Sequence, residues 1–415
     1  MGIIPKRKKD RYYLSLDIGT EFVKCLIFRV DEKEGKGIII GAGKQRQKLG
    51  DMQGGAVTDI GGVVENCDKA ISRAEKMAGV SPTECVIGIA GELVKGTTTT
   101  IHYERLNPKE KIDYTELNNI LNKVQYQAFE QTRKQLAWET GYKEIEVKLV
   151  NAAVVDVHID GYHVTNPIGF QGRDVSIGIY NAFAPLVHLG ALQTISSELG
   201  LDLISVAAEP YAVARCMGGE ESTEFSAIFI DIGGGTSDIA VVRNGGVEGT
   251  KMFAIGGRTF TKRLAQVLNT TFAKAEEAKI MHSSGELDKD KKEIIREAIL
   301  NDAEVWLSGV ELSLGEFDKI DMLPSRILLC GGGSELPEIK EVLEKGDWWK
   351  NLPFAKKPKI KFMEPEDVAN MLDNTNMMKS VQDITPMALG NLLLDYEEDE
   401  SISGILKKVV KVMQV

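Results

Sequence analysis

Apolar residues fall into two textures along this chain, and the switches between them set the expected elements. In residues 12–30, YYLSLDIGTEFVKCLIFRV, two β-type apolar runs flank an Ile-Gly-Thr turn, and a third run lies in 37–48, so the segment predicts a three-stranded meander. The segment VVENCDKAISRAEKMAG (63–79) changes to three- and four-residue apolar steps and ends in Gly79, which predicts a helix with a glycine C-cap before the strand ECVIGIAG. From 96 the texture changes to a Thr run, a long helix around 112–139 and alternating strands through VKLVNAAVVDVHIDGYHVTNPIGF, which we read as an inserted subdomain over 96–172. An α/β texture resumes with DVSIGIYNAFAP, a helix over 185–199 and the strand DLISVAA, which runs directly into Glu209-Pro210 and another helix.

The opening pattern then returns. FSAIFIDIGGGTSDIAVVRNGGVEGTKMFAIGG (225–257) again reads strand, glycine turn, strand, tight turn, strand, with Asn244-Gly245 as the hairpin turn, so the fold is expected to be internally duplicated. Charge-rich helices follow over 258–316, broken near SSGELD, and RILLCGGG is a buried strand opening into a helix over 335–345. The expected organisation is a basic segment (1–11), a first lobe (12–95 and 173–224) interrupted by the insert (96–172), and a second lobe (225–257 and 321–394) with a small helical subdomain (258–320). An acidic linker (395–400) and a terminal helix (401–415) complete it.

Composition narrows the function. A chain of 415 residues, 43% of them hydrophobic, can supply two lobes with a core. Net charge is −11 with both signs interspersed, which argues against a broad nucleic-acid surface. The five cysteines (Cys25, Cys67, Cys85, Cys216, Cys330) are odd in number, widely spread and mostly in apolar runs, so they read as buried free thiols of a cytosolic protein. No stretch approaches the roughly 20 apolar residues of a membrane span, and MGIIPKRKKDR lacks an apolar region behind its basic residues. His158 and His163 flank an Asp-Gly turn without a third ligand nearby, so a histidine metal site is not expected.

The chemistry lies in the glycine turns. In LDIGTEFVK, Asp17 ends a buried strand, Gly19 permits the sharp turn, Thr20 offers a hydroxyl and an N–H to a phosphate oxygen, and Lys24 on the returning strand points back to the same place. In IDIGGGTSD, Asp231 takes the matching position, followed by Gly233, Gly234, Gly235 and Thr236, whose backbone amides can approach an anion closely. Either turn alone reads as an ordinary hairpin; as a pair they can clamp a polyphosphate and its magnesium from two sides. Gly256 and Gly257 open one helix, and Gly331, Gly332, Gly333 and Ser334 precede another, both suited to a phosphate or ribose, although Ser334 reads equally well as a helix N-cap.

These segments, in this order, resemble the superfamily of actin, sugar kinases and heat-shock chaperones, which implies an α/β, actin-like (ribonuclease H-like) two-lobed ATPase fold. LSLDIGT looks like its first phosphate motif, FIDIGGGTSD its second, LLCGGGSELP its adenosine motif, and AAEPYAVA its first connecting helix. The resemblance implies ATP and magnesium as ligands. It puts Glu209 at the position that orients the attacking water and Asp17 and Asp231 at those that hold magnesium through water, with Lys262, Glu276 and Lys279 around the nucleoside. Within the superfamily the chain is most similar to the FtsA family of bacterial cell-division proteins, over nearly its whole length. GGAVTDIGGVVENCDKAISRAEKMAG, the position of the insert, and DGYHVTNPIGFQG carry that likeness. DITPMALGNLLL (383–394) matches the second connecting helix only by Ala388 and Gly390, and the linker before the tail is shorter than the family often has.

In the tail, Ile402, Ile405, Leu406, Val409, Val410 and Met413 recur at helical steps, while Lys407, Lys408 and Lys411 take the other faces. Such a cationic amphipathic helix suits an anionic lipid interface; the competing reading docks it on the protein's own core. By resemblance the expected role is an ATP-binding protein that polymerises and tethers FtsZ filaments to the inner face of the membrane at the division site, with the FtsZ contact within 258–320. A PilM-like pilus-assembly role and a small-molecule kinase are the alternatives.

Overall fold

The computed structural model describes residues 11–91, 94–140, 146–217, 225–287, 289–318 and 320–394. The chain opens with β1 (Tyr12–Ile18), β2 (Phe22–Asp31) and β3 (Lys36–Arg46), an antiparallel meander. A small hairpin, β4 (Met52–Gln53) and β5 (Ala56–Val57), leads to α1 (Ile60–Ala78). This helix is capped as its sequence predicts: Asp59 accepts from the Gly62 N–H, and Gly79 adopts φ 70° while its N–H donates to Glu75 O. Its Ala70 and Ala74 lie directly on β3, where a Cβ at Gly43 would collide with Ala70 O. Only glycine admits that approach.

Strand β6 (Glu84–Ile89) runs parallel to β1. The insert then supplies β7 (Lys95–Glu104), α2 (Tyr114–Thr140), β8 (Val147–Ile159), β9 (Tyr162–His163) and β10 (Asp174–Pro185). His158 and His163 face each other across the Asp160-Gly161 turn. The chain continues through α3 (Leu186–Glu198), β11 (Asp202–Ala208) and α4 (Glu209–Arg215).

The second meander comprises β12 (Ala227–Ile232), β13 (Ser237–Arg243) and β14 (Gly246–Phe253), with Asn244 and Gly245 at φ 50° and 77° in the turn. Next come α5 (Gly257–Val267), α6 (Phe272–Ser283), α7 (Lys289–Gly315), β15 (Arg326–Cys330), α8 (Pro337–Glu344), β16 (Lys359–Phe362), β17 (Met371–Asp373) and α9 (Ile384–Leu394).

One sheet has the order β11-β6-β1-β2-β3-β17, and the larger has β16-β15-β12-β13-β14-β7-β10-β8-β9. In both, an antiparallel meander is flanked at its first strand by two parallel strands, so the duplication read from the glycine turns is a duplication of topology. The insert departs from the sequence reading in one respect. Strand β10, assigned above to the resumed first lobe, hydrogen-bonds along its length between β7 and β8. Ile177, Ile179 and Phe183 point to the α2 side, while Tyr180, Ala182 and Ala184 pack into the first-lobe core. Burial on both faces gives the strand a continuous apolar run, the texture of a central parallel strand, although its partners are antiparallel. The insert's sheet also joins the second lobe, since Thr97 and Gly96 of β7 pair with Gly249 and Thr250 of β14.

Helix α9 crosses onto the first sheet, where Pro386 O accepts from Ser15 Oγ and a Cβ on Gly390 would meet Met371 and Phe28. All five cysteines are free and buried. No helix among the described residues is long and apolar enough to cross a membrane. The acidic run and the tail helix expected over 395–415 lie outside the described residues.

Candidate functional site

The two glycine turns have the same backbone construction. In the first, Gly19 N–H donates to Phe22 O at 3.1 Å; in the second, Gly233 N–H donates to Thr236 O at 2.9 Å. In the first, Asp17 stands opposite Lys24 across the hairpin; in the second, Asp231 stands opposite Asp238. The turns touch one another, because a Cβ on Gly234 would lie 2.8 Å from Glu21 Cβ and one on Gly235 2.8 Å from Thr20 Oγ1. Glycine is required here for close approach across the lobes rather than for backbone conformation.

Beside this contact lies a cleft of about 880 Å³, within the size range of small-molecule and cofactor sites. Asp17, Gly19, Thr20 and Lys24 line it from the first turn, and Asp231, Gly233, Gly234 and Thr236 from the second. Glu209 reaches it from the start of α4, Gly257, Glu276 and Lys279 from α5 and α6, and Gly331, Gly332 and Gly333 from the loop after β15. Gly235 and Gly256 stand behind the lining, where a Cβ on Gly256 would meet Gly233 O at 2.7 Å. Ser334 is buried and donates to Gly331 O at 2.7 Å, so its hydroxyl closes the turn. Lys262 is exposed on α5 outside the lining; it sits one helical turn further from the cleft than Arg258, which occupies the mouth instead.

Local bonds hold each group. Lys24 Nζ donates to Asp17 Oδ2 at 3.0 Å and to Gln382 O at 2.8 Å. Thr385 at the start of α9 donates to Asp231 Oδ2 at 2.5 Å. Lys279 Nζ contacts Gly257 O, Thr261 Oγ1 and, at 2.8 Å, Glu276 Oε2, and Thr261 also donates to Glu276. Asn151 of the insert accepts from the Ala208 N–H at 2.7 Å, fixing the corner from which Glu209 projects. The register shift in β8 beside Asn151 marks a bulge, a device that re-aims side chains next to a site.

The electrostatics are uneven. Burial, and then the charges of Asp17, Asp238 and Asp231, push the Glu209 carboxyl well above the usual carboxylate range. Burial and the facing Asp231 push Asp238 up to about 8. Burial also raises Asp231, against the opposing pull of the Thr385 hydrogen bond and Lys24. For Lys24, burial favours the neutral amine, yet the Asp17 contact and the surrounding carboxylates more than reverse it, and its pKa rises. Burial and the charge of Lys24 lower Lys44, which faces Lys24 across β2 and β3.

Four of these residues escaped the sequence reading. Asp238 was accessible to it, since it follows Asp231 by the seven positions that separate Lys24 from Asp17. Thr385, Gln382 and Lys44 carry no local signal, because the cleft draws them from distant segments.

A sequence profile described as "Cell division protein FtsA" matches residues 228–381, which include the second glycine turn and the loop after β15. The chain is 28% identical over 364 residues to the cell division protein FtsA of Neisseria meningitidis serogroup B, covering 81% of this chain and 82% of that one. It is 24% identical to the FtsA of Pseudomonas aeruginosa, with 81% of both chains covered. Among solved structures, the PilM-PilN type IV pilus biogenesis complex contains a chain similar in fold, with a TM-score of 0.60 and 16% identity over 96% of this chain and 98% of that one. The fold is thus actin-like, and over most of its length the chain is similar in sequence to FtsA cell-division proteins.

Proposed function

We propose that the cleft binds ATP with magnesium, and that the protein uses it to set the closure of its lobes while it polymerises and links FtsZ filaments to the membrane. The observation that carries the nucleotide reading is the convergence of both glycine turns, with Asp17, Asp231 and Glu209, on one cleft. The residues fit magnesium. Three carboxyl groups with raised pKa crowd around few cations, so a divalent ion relieves a real electrostatic cost. Among the described residues no three His, Cys, Asp or Glu side chains form a direct metal cage. Asp17 and Asp231 would therefore hold the ion through water, the usual manner of magnesium at a polyphosphate. Glu209, whose carboxyl burial and the neighbouring carboxylates push well above the usual range, would orient a water towards the terminal phosphate.

The tether rests on other support. Residues 401–415 carry the Lys-flanked apolar stripe expected to lie in an anionic lipid interface. On α7, Ile294, Val305 and Leu312 are exposed, which suits a protein partner on the subdomain where the family resemblance puts FtsZ. The relatives' shared name supports division over the pilus-assembly alternative, which has only a likeness of fold.

Two experiments test the reading. Asp231→Ala should abolish magnesium-dependent ATP binding in titration calorimetry while circular dichroism stays native; unchanged affinity would reduce the glycine loops to turns. Deleting 401–415 should abolish co-sedimentation with anionic liposomes, and failure of the intact chain to bind them would remove the membrane role.

A further inference from the structure

Arg258 stands in the first turn of α5, on the second lobe, and reaches across the mouth of the cleft into the first. Its Nε donates to Glu21 Oε2 at 2.7 Å, and its Nη1 lies 3.3 Å from Leu49 O and 3.2 Å from Met52 O. Glu21 belongs to the first glycine turn and also accepts from Arg46 at 2.7 Å. One side chain on the second lobe therefore holds both the phosphate turn and the β3–β4 connection of the first.

The clasp is sheltered, with 11% of the Arg258 side chain and 14% of the Glu21 side chain exposed, so solvent screens it little. The backbone beneath it is in contact as well: Gly257 N–H and Arg258 N–H donate to Gly233 O and Gly234 O, and Gly234 abuts Glu21. Any opening of the lobes at this mouth must break the Arg258 bonds. Its Nη2 is buried without a partner among the described residues, so the guanidinium is not fully satisfied by the protein alone.

We propose that Arg258 is a positioning residue for the bound nucleotide, clamping the two phosphate turns together through Glu21 and limiting the rate at which a nucleotide leaves. This inference rests on the nucleotide reading of the cleft. Arg258→Ala leaves Glu21 paired with Arg46, so no uncompensated carboxylate is created and the fold should survive.

The test is the release rate of a fluorescent ATP analogue, measured by stopped flow with excess unlabelled ATP and magnesium. Release from Arg258→Ala should be about tenfold faster than from the wild type, with association little changed, because loss of a sheltered charge pair acts on dissociation. Glu21→Ala should accelerate release similarly, and the double variant no more than either single one. Arg258→Lys keeps the charge but loses the fork, and should fall between; it carries the test if Arg258→Ala does not fold. Wild-type release rates in Arg258→Ala or in Arg258→Lys, or single effects that multiply in the double variant, overturn the clamp and leave the nucleotide reading intact. A wild-type protein that binds no nucleotide overturns both.

Discussion

The carboxyl cluster should make the ligand-free protein less stable as pH rises, and Asp238 is the place to measure it. Its side chain is buried opposite Asp231, accepts a hydrogen bond from Thr236 at 3.1 Å, and is pushed from an ordinary value of 3.8 to about 8. Below the unfolded value both states carry the proton and there is no penalty. As pH rises from about 4 to about 8, the unfolded chain loses a proton that the folded chain keeps, so stability falls through that window and levels off above it. At pH 7 the gap of about three units corresponds to about 4 kcal/mol. Asp238→Asn mimics the protonated group and can keep an acceptor for Thr236. Allowing about 1 kcal/mol for imperfect replacement, the variant should be about 3 kcal/mol more stable than the wild type at pH 7. Because total stability is only about 5–15 kcal/mol, this is readily seen. Urea denaturation followed by tryptophan fluorescence reports mainly on the second lobe, since Trp306 and Trp348 belong to its core, Trp349 packs against it, and Trp306 Nε1 donates to Ser237 beside Asp238. The gap between variant and wild type should widen with pH by about 1.4 kcal/mol per unit between about 5 and 7. Parallel pH curves for the two proteins would refute the electrostatic account of the cluster. On the proposed reading, magnesium and ATP together narrow the gap by supplying a cation beside the carboxyls.

Gly331→Ala tests the loop after β15: at φ 79° a Cβ would collide with Asp231 Oδ1, so strain and overpacking should cost about 3 kcal/mol or more and weaken ATP binding. A change below about 1 kcal/mol in the urea midpoint analysis would contradict it. The Arg105 side chain is fully buried and bonds both Glu116 oxygens together with Gly172 O and Glu110 O. Arg105→Ala removes these bonds, and because Glu116 keeps partial access to water it should cost the insert about 1–3 kcal/mol. Hydrogen exchange should accelerate over 104–116 and 171–174 while the amides of the glycine turns keep their protection; acceleration at the turns as well would show that the insert does not open on its own.

Local and periodic features were legible along the chain without any knowledge of its packing. The meanders, their glycine turns, Asp17 and Asp231 at the strand ends, and the Gly79 cap of α1 follow from chain neighbours, because turn conformation and strand burial are properties of a few adjacent residues. Repetition of that pattern was enough to expect two halves of similar topology, and the same seven-residue spacing that exposed Lys24 also marks Asp238. Everything that depends on distant partners came from the folded molecule. Packing set β10 between antiparallel partners and joined the insert's sheet to β14, since an apolar strand buried on both faces does not declare which neighbours it pairs with. It also brought Thr385 to Asp231 and Arg258 to Glu21, bonds between residues 154 and 237 positions apart. Those contacts depend on how two lobes meet, and no periodicity within either lobe encodes that meeting.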